Sequence, residues 1–264
     1  MKRYPSIRCL LLLCSLLLTS CDSHSPTLET DKTEVTVLVT YTEEARVAAD
    51  DIQGEIMQGL ADTNAAFENS AIPLRFVPVH VAEVTYEMTD RFEDLKRLVR
   101  TSDGHLDEIH VLRDQYEADL VVFVPDKRDA TINASVMAEA STAFVIVHWE
   151  FLDAPDYGLA HELGHLFGAR HTLDSDPSTE PFAFGHGFRN DSLRTIMANG
   201  PQQRVPYFSG PEQRFEGVAL GDSTLHNAAE VLRRTAIYIA NFRGPQQATD
   251  FVPSATFPVV NFAD

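Results

Sequence analysis

The most informative stretch of this chain runs from His161 to His171 and reads HELGHLFGARH. Residues four positions apart share one face of a helix, so His161 and His165 point the same way. Two imidazoles placed like this can bind one Zn²⁺ at about 2.0–2.1 Å each. Glu162 lies one position further round, close enough to reach a water on the metal without being a ligand. The spacing therefore predicts a helix with two zinc ligands and a carboxylate beside them.

Gly168 and His171 extend this pattern beyond the helix. Glycine readily takes the left-handed conformation that ends a helix and turns the chain. Such a turn would bring His171 back to the metal as a third ligand. Three protein ligands leave the fourth position of a tetrahedral zinc site open, as a catalytic site requires. The alternative, an amphipathic helix with surface histidines, leaves the joint spacing of these residues unexplained.

The extended motif resembles that of the metzincin zinc peptidases. Metzincins carry a methionine turn beneath the zinc, and Thr195-Ile196-Met197-Ala198 fits that role. Met197 would form an apolar floor under the histidines; outside this context it would be read as an ordinary core residue. The stretches FGHGF (184–188) and VPYFS (205–209) are similar to the bacterial reprolysin-like branch, in particular to the peptidyl-Asp metallopeptidases. Thr172 and Asn199 depart from the Asp and Tyr that many relatives have there, but neither departure removes a zinc ligand.

The chain before the motif alternates between strand-like and helix-like segments. Thr42 is a candidate cap for the first helix, and Pro73 and Pro78 place the second strand at an edge. This order predicts an α/β sandwich, with a mixed, mostly parallel, twisted sheet and an antiparallel edge strand. The predicted strands are 35–41, 74–84, 119–125 and 143–149, and the predicted helices are 43–70, 92–99 and 106–116. In metzincins, the strand placed like 143–149 is the antiparallel edge that borders the cleft and pairs with the substrate.

The zinc helix is expected to begin near Asp153, with Pro155 in its first turn. The segment after His171 is rich in Gly and Pro and predicts a loop-rich C-terminal subdomain. A final helix, capped by Ser223 and running to Phe242, would close a metzincin-like domain of residues 34–243. Residues 244–264 contain prolines and are expected to form an extended tail.

Residues 1–20 have the features of a bacterial lipoprotein signal peptide. Basic residues precede an apolar run at 9–18, and Leu18-Thr19-Ser20-Cys21 resembles a cleavage box. Cleavage would leave Cys21 for lipid attachment and 21–33 as a tether, which predicts a lipid-anchored protein of the bacterial cell envelope, facing the periplasm or the surface. An ordinary secretory signal, cut nearby, is the alternative and would give a secreted protein.

Removal of residues 1–20 takes three basic residues and no acidic one, so 18 basic and 39 acidic residues leave a net charge of −21. This charge disfavours nucleic acid as a partner, and the membrane would be a partner only through the lipid on Cys21. Because Cys21 would be the one cysteine left, no disulfide is expected. We expect a monomer that acts on protein or peptide substrates.

The resemblance implies a zinc endopeptidase with one catalytic Zn²⁺ on His161, His165 and His171. Glu162 would act as general base, taking a proton from the attacking water and passing it to the leaving amine. A catalytically idle metzincin fold that binds an envelope partner and a zinc amidase acting on cell-wall peptides are the alternatives. The intact Glu162 favours an enzyme over an idle fold.

Arg204 is the one charged residue between 199 and 209, the segment that in metzincins borders the pocket beyond the scissile bond. A guanidinium group can bind both oxygens of a carboxylate, so Arg204 could select Asp after the cut site, unless it simply faces solvent. His148 and His186 are expected to be structural, because three histidines already fill the protein ligand positions. Two further alternatives are Glu180 as a zinc ligand and calcium binding by Asp174 and Asp176; a solvated loop explains the second pair more simply.

Overall fold

The computed structural model describes residues 32–133 and 135–243. The predicted signal peptide, Cys21, most of the tether and the tail 244–264 lie outside the described residues. Within the described part, no helix combines the length and apolarity needed to cross a membrane.

The core of the fold is a five-stranded sheet with the strand order β2-β1-β3-β5-β4. The pairs β1–β2, β1–β3 and β3–β5 are parallel, and β4 pairs antiparallel with β5. The sheet therefore confirms the predicted mixed, mostly parallel architecture with one antiparallel edge. The strands are β1 (Thr33–Thr42), β2 (Leu74–Val84), β3 (Leu120–Val124), β4 (Ile132–Asn133) and β5 (Phe144–Ile146).

Helices cover both faces of this sheet because its central strands are apolar on both faces. All five residues of β3 are buried. One apolar layer, which includes Val37 and Val39 of β1, packs against Ile56 and Leu60, and Leu38 belongs to the layer on the opposite face. The helices are α1 (Glu43–Ala48), α2 (Ile52–Asn69), α3 (Arg91–Val99), α4 (Asp107–Gln115), α5 (Gly158–Leu166) and α6 (Ala228–Ile239).

The first predicted helix, 43–70, is two helices in the structure. Thr42 caps α1 as expected, since its side chain accepts the Ala45 N–H at 3.2 Å. The helix then ends because Ala49 is extended, with φ −88° and ψ 139°. The Asp51 side chain accepts the Gly54 N–H at 3.0 Å and starts α2. The apolar face predicted one helix, but the extended Ala49 and the Asp51 cap divide the segment into two.

The assignment of the antiparallel edge to 143–149 is wrong. β5, which covers Phe144–Ile146 of that segment, is parallel to β3 and lies inside the sheet. The antiparallel edge strand is β4, which has two residues and is therefore too short to show an alternating pattern. β2 lies at the opposite edge, as its prolines predicted, and its register with β1 shifts between Val37 and Leu38, opposite Pro78.

The C-terminal part consists mainly of loops with two pairs of two-residue strands. The final helix is shorter than predicted: Asn227, not the exposed Ser223, is its cap, and the Asn227 side chain accepts the Glu230 N–H at 3.3 Å. Val231, Leu232 and Ile239 of α6 are fully buried, and Leu232 and Ile239 belong to the same core as α5. The short strands are β6 (Leu193–Arg194), β7 (Gln203–Arg204), β8 (Arg214–Phe215) and β9 (Val218–Ala219).

Candidate active site

Three histidine side chains converge at the C-terminal half of α5. The Nε2 atom of His161 lies 3.2 Å from that of His165 and 3.1 Å from that of His171. The Nε2 atoms of His165 and His171 are 3.0 Å apart. Tetrahedral ligands at about 2.0–2.1 Å from a zinc ion lie about 3.3 Å from one another, so the three nitrogens fit Zn²⁺. Among the described residues, these three histidines are the cluster of possible ligand side chains whose ligand atoms lie close enough together to share one metal ion.

The helix that carries two of these histidines begins later than the sequence predicted. α5 begins at Gly158, not near Asp153, and the Ala154–Pro155 peptide bond is cis. Tyr157 has a φ of 50°, and a right-handed helix cannot pass through a left-handed residue. Pro155 therefore lies in the preceding turn rather than in the first turn of the helix.

Gly168 turns the chain at the end of α5 with a φ of 100°. The Gly168 N–H donates to the His165 carbonyl at 2.8 Å, and the Ala169 N–H donates to the Gly164 carbonyl at 3.0 Å. These bonds close the last turn of the helix and direct the following residues back along it. The position of His171 opposite α5 follows from this turn.

Main-chain carbonyls orient the two helical imidazoles. Nδ1 of His161 donates to the Ile196 carbonyl, and Nδ1 of His165 donates to the Ala169 carbonyl, each at 2.8 Å. Nδ1 is therefore the protonated nitrogen, and the Nε2 lone pair points to the site. Burial lowers the pKa of His165 to about 3 and holds the pKa of His161 well below its usual range. Both rings are neutral near pH 7, as metal ligands must be.

A hydrogen bond to the main chain of His171 holds the loop that carries this residue. His186, which is fully buried, donates from Nδ1 to the His171 carbonyl at 2.9 Å. The Ser209 hydroxyl donates to the His186 carbonyl at 2.6 Å and accepts the Ala228 N–H at 3.0 Å. His186 therefore connects the third histidine to the first turn of α6 and is not itself one of the convergent ligands.

Glu162 follows His161 on α5 and is 6% exposed. Burial raises its pKa to about 7, while a hydrogen bond from Asn133 and the charge of Arg204 oppose that rise. Nδ2 of Asn133 donates to Oε2 of Glu162 at 2.9 Å. Sequence reasoning missed Asn133, because it lies on the two-residue strand β4 and carries no local signal.

Met197 lies beneath α5 and is fully buried. A Cβ atom at Gly164 would overlap the Met197 sulfur and press on the ring of Phe208. α5 can therefore pack against Met197 only because Gly164, which lies between the two histidines, has no side chain. Sequence reasoning also missed this role of Gly164, although a glycine inside a helix is a recognisable signal.

Arg204 lies on β7 and is half-buried, close enough for its charge to act on His161 and His171. It donates from Nη1 to the Asp156 carbonyl, and its buried Nε has no hydrogen-bond partner within the described ranges. Burial lowers its pKa to about 10, so it remains charged at neutral pH. The side chain does not simply face solvent, and its charge acts on both Glu162 and His161.

The remaining candidate residues are engaged elsewhere. Nε2 of His148 lies 3.1 Å from an Asp126 oxygen, and its Nδ1 accepts the Glu150 N–H at 3.1 Å. Asp176 pairs with Arg170 at 2.6 Å, and Asp174 pairs with Arg189. Glu180 is exposed and is not part of the histidine group.

Comparison with known families places most of the chain in one group. Residues 31–209 match the family model described as metallo-peptidase family M12. A peptidyl-Asp metalloendopeptidase of Xanthomonas campestris is 35% identical over 216 residues, which cover 79% of this chain and 52% of the relative. A protein of the same name from Stenotrophomonas maltophilia is 34% identical over 220 residues, again with 79% and 52% coverage. The chain spans about half the length of these curated relatives.

A solved structure titled "Structure of a chaperone-substrate complex" shares the fold. The TM-score is 0.68 at 18% sequence identity, and the match covers 81% of this chain and 36% of that one. At this identity, the likeness extends to the arrangement of strands and helices.

Proposed function

The chain belongs to metallo-peptidase family M12, and from this membership we propose that it is a zinc endopeptidase. The family resemblance read from the sequence is confirmed. The observation that carries the proposal is the set of three imidazole nitrogens 3.0–3.2 Å apart on and beside α5, the helix that also carries the buried Glu162. His161, His165 and His171 would hold the zinc ion. A bound zinc ion supplies Lewis acidity, which polarises the scissile carbonyl and acidifies a water molecule.

Glu162 is proposed as the general base. Water adds to the carbonyl carbon, its proton passes to Glu162, and Glu162 gives the proton to the leaving amine as the C–N bond breaks. Burial supports this role because it raises the pKa of the carboxyl to about 7, where both protonation states are accessible at neutral pH. A surface glutamate with the ordinary, lower pKa would be a weaker base toward the water.

The first test compares Glu162→Gln with the unaltered protein on a library of peptides. We expect a loss of activity of about 10²- to 10⁴-fold with one zinc ion per chain retained, since the carboxylate acts on water and not on the metal. His165→Ala is the matched variant and should lose the zinc ion in elemental analysis. Near-normal turnover in zinc-loaded Glu162→Gln, or full zinc occupancy in His165→Ala, would contradict the assignment.

We also propose that the enzyme prefers Asp directly after the scissile bond, with Arg204 as the selecting residue. The proposal is supported by the names of the relatives and by the charged guanidinium of Arg204 with its buried, unpaired Nε. A carboxylate from the substrate would supply the missing partner. Absence of this Asp preference would leave the proposed peptidase activity unaffected.

Two peptides that differ only in Asp or Leu after the cut site measure this preference. We expect Arg204→Ala to lower kcat/KM for the Asp peptide by at least about tenfold, the equivalent of one charge-assisted hydrogen bond, and to change the Leu peptide little. Arg214→Ala, at an exposed arginine of β8, is the control. Equal cleavage of both peptides by the unaltered protein would rule out the preference, and an Asp preference that survives in Arg204→Ala would rule out Arg204 as its source.

For localisation, we propose that Cys21 is acylated and holds the protein at a membrane of the cell envelope. The basic start, the apolar run and the Leu18-Thr19-Ser20-Cys21 box support this proposal. Cys21→Ser should move the protein from the membrane fraction to the soluble fraction. Membrane fractionation of Cys21→Ser that equals that of the unaltered protein would contradict the anchor.

A further inference from the structure

We propose that Asn133 is a positioning residue for Glu162: its side-chain amide holds one carboxylate oxygen, so that the other faces the attacking water. This inference rests on the proposed peptidase function and adds a residue that lies outside the zinc motif and 29 positions before Glu162. It assigns a function to β4, the shortest strand of the main sheet.

The contact between the two side chains is direct. Nδ2 of Asn133 donates to Oε2 of Glu162 at 2.9 Å, a distance typical of a well-formed hydrogen bond. Within the described residues, the Asn133 side-chain amide is the group that donates a hydrogen bond to the Glu162 carboxylate. Oε1 remains available to a water molecule. A buried carboxylate without any donor would be poorly solvated and free to change rotamer.

The backbone around Asn133 is fixed with respect to the zinc helix from both sides. Asn133 pairs with Val145 of β5, which anchors it to the main sheet. A few residues later, the Met137 N–H donates to the His165 carbonyl at 2.9 Å, and the Ala138 N–H donates to the Leu166 carbonyl at 2.7 Å. The amide of Asn133 therefore has a defined position relative to the end of α5.

An amide is a suitable chemical group for this position. A lysine or arginine would form an ion pair with Glu162 and stabilise its charged form, which would make it a weaker base. A hydrophobic residue would leave Oε2 without a partner. The neutral N–H of asparagine fixes the direction of the carboxylate without placing a further charge against it.

The first experiment replaces Asn133 by Asp, which has the same shape but offers an oxygen in place of the donor. With the zinc-loaded protein and a peptide substrate, we expect kcat to fall about 10- to 100-fold, the usual range for partners of catalytic and metal-binding groups, while KM and zinc content stay unchanged. Asn133→Gln keeps the donor on a longer arm and should recover part of kcat. Gln115→Glu, which makes the same change from amide to carboxylate at an exposed glutamine at the end of α4, is the control and should leave kcat unchanged.

The second experiment uses thermal unfolding of the zinc-free protein and does not depend on activity. Asn133→Asp should lower Tm by roughly 2–8 °C, because two carboxyl groups then face each other. The double variant Asn133→Asp with Glu162→Gln reverses donor and acceptor, so it should recover most of that loss while remaining inactive. A merely local packing role for Asn133 would give no such recovery.

The outcomes separate this inference from the proposed function. An active unaltered protein together with normal kcat in Asn133→Asp would overturn the role of Asn133 and leave the peptidase proposal standing. Loss of zinc from Asn133→Asp, or no Tm recovery in the double variant, would also overturn it. An unaltered, zinc-loaded protein that cleaves no peptide would overturn the proposed function, and the positioning role with it.

Discussion

The sheet half of the molecule and the loop-rich half differ in what holds them together. In the sheet half, long strands bury apolar side chains on both faces, and every residue of β3 is buried. In the loop-rich half, Ile196, Met197 and Phe208 join the main core, and the separate apolar cluster between the short strands is small, with Leu193, Val205 and Leu220 as its buried members among the described residues. Arginine side chains there donate to main-chain carbonyls instead. Nη1 of Arg189 reaches the Asn199 carbonyl at 2.7 Å, and Nη1 of Arg194 reaches the Ala198 carbonyl at 2.9 Å.

This difference bears on the candidate zinc site, because both halves of the molecule contribute residues to it. α5 packs into the apolar core and contributes His161 and His165 from a rigid element. His171 and Met197 come from the loop-rich half, where a hydrogen bond from His186 holds the main chain of His171 and Met197 packs into the same core as α5. The two halves should therefore respond differently to loss of apolar contacts, loss of metal and loss of a hydroxyl group.

The largest effect is expected from Phe123→Ala in the middle of β3. Phe123 is fully buried, and truncation of a buried phenylalanine costs about 3–5 kcal/mol of unfolding free energy. Denaturant titration followed by circular dichroism measures this loss. Val111→Ala, at a residue that is 64% exposed, is the control and should stay within about 0.5 kcal/mol. A loss below about 1 kcal/mol in Phe123→Ala would break the contrast between the halves.

Removal of zinc should have the next largest effect and should be confined to the loop-rich half. Zinc at 100 times its dissociation constant should add about 2.7 kcal/mol to the free energy of unfolding. Hydrogen exchange after treatment with a chelator should rise at 171–187 and 195–199, while β1 and β3 stay protected. His165→Ala should not respond to the chelator. Equal loss of protection in β3 would show that the metal supports the whole fold.

Ser209→Ala is expected to have the smallest effect of the three. The hydroxyl group links the His186 carbonyl to the first turn of α6, and its removal leaves both partners unpaired in a buried place, at a cost of about 1–3 kcal/mol. Zinc affinity should fall as well, because His186 holds the His171 main chain. Ser223→Ala, at an exposed serine, should change neither quantity. A Ser209→Ala protein with normal zinc affinity would separate the hydroxyl from the metal site.

The sequence predicted those features that depend on local spacing. Apolar runs predicted β1 and β3, and helical spacing was enough to propose His161 and His165 together. Features that depend on distant partners were missed. Asp62, on α2, accepts the Ala154 N–H at 3.0 Å in the turn that precedes α5, and no pattern near Asp153 reveals this. Asn133 was missed for the same reason, since its partner lies on another element.

The carbonyl acceptors of the two helical histidines have an evolutionary consequence. Nδ1 of each ring is satisfied by the main chain of Ile196 or Ala169, and all twenty amino acids carry that carbonyl group. Side chains at these two positions can change among relatives, within the limits of packing, without any loss of the acceptor. Mutation of Ile196 or Ala169 therefore leaves the carbonyl group that orients each imidazole in place. A search for residues that co-vary with His161 and His165 would not identify these two positions.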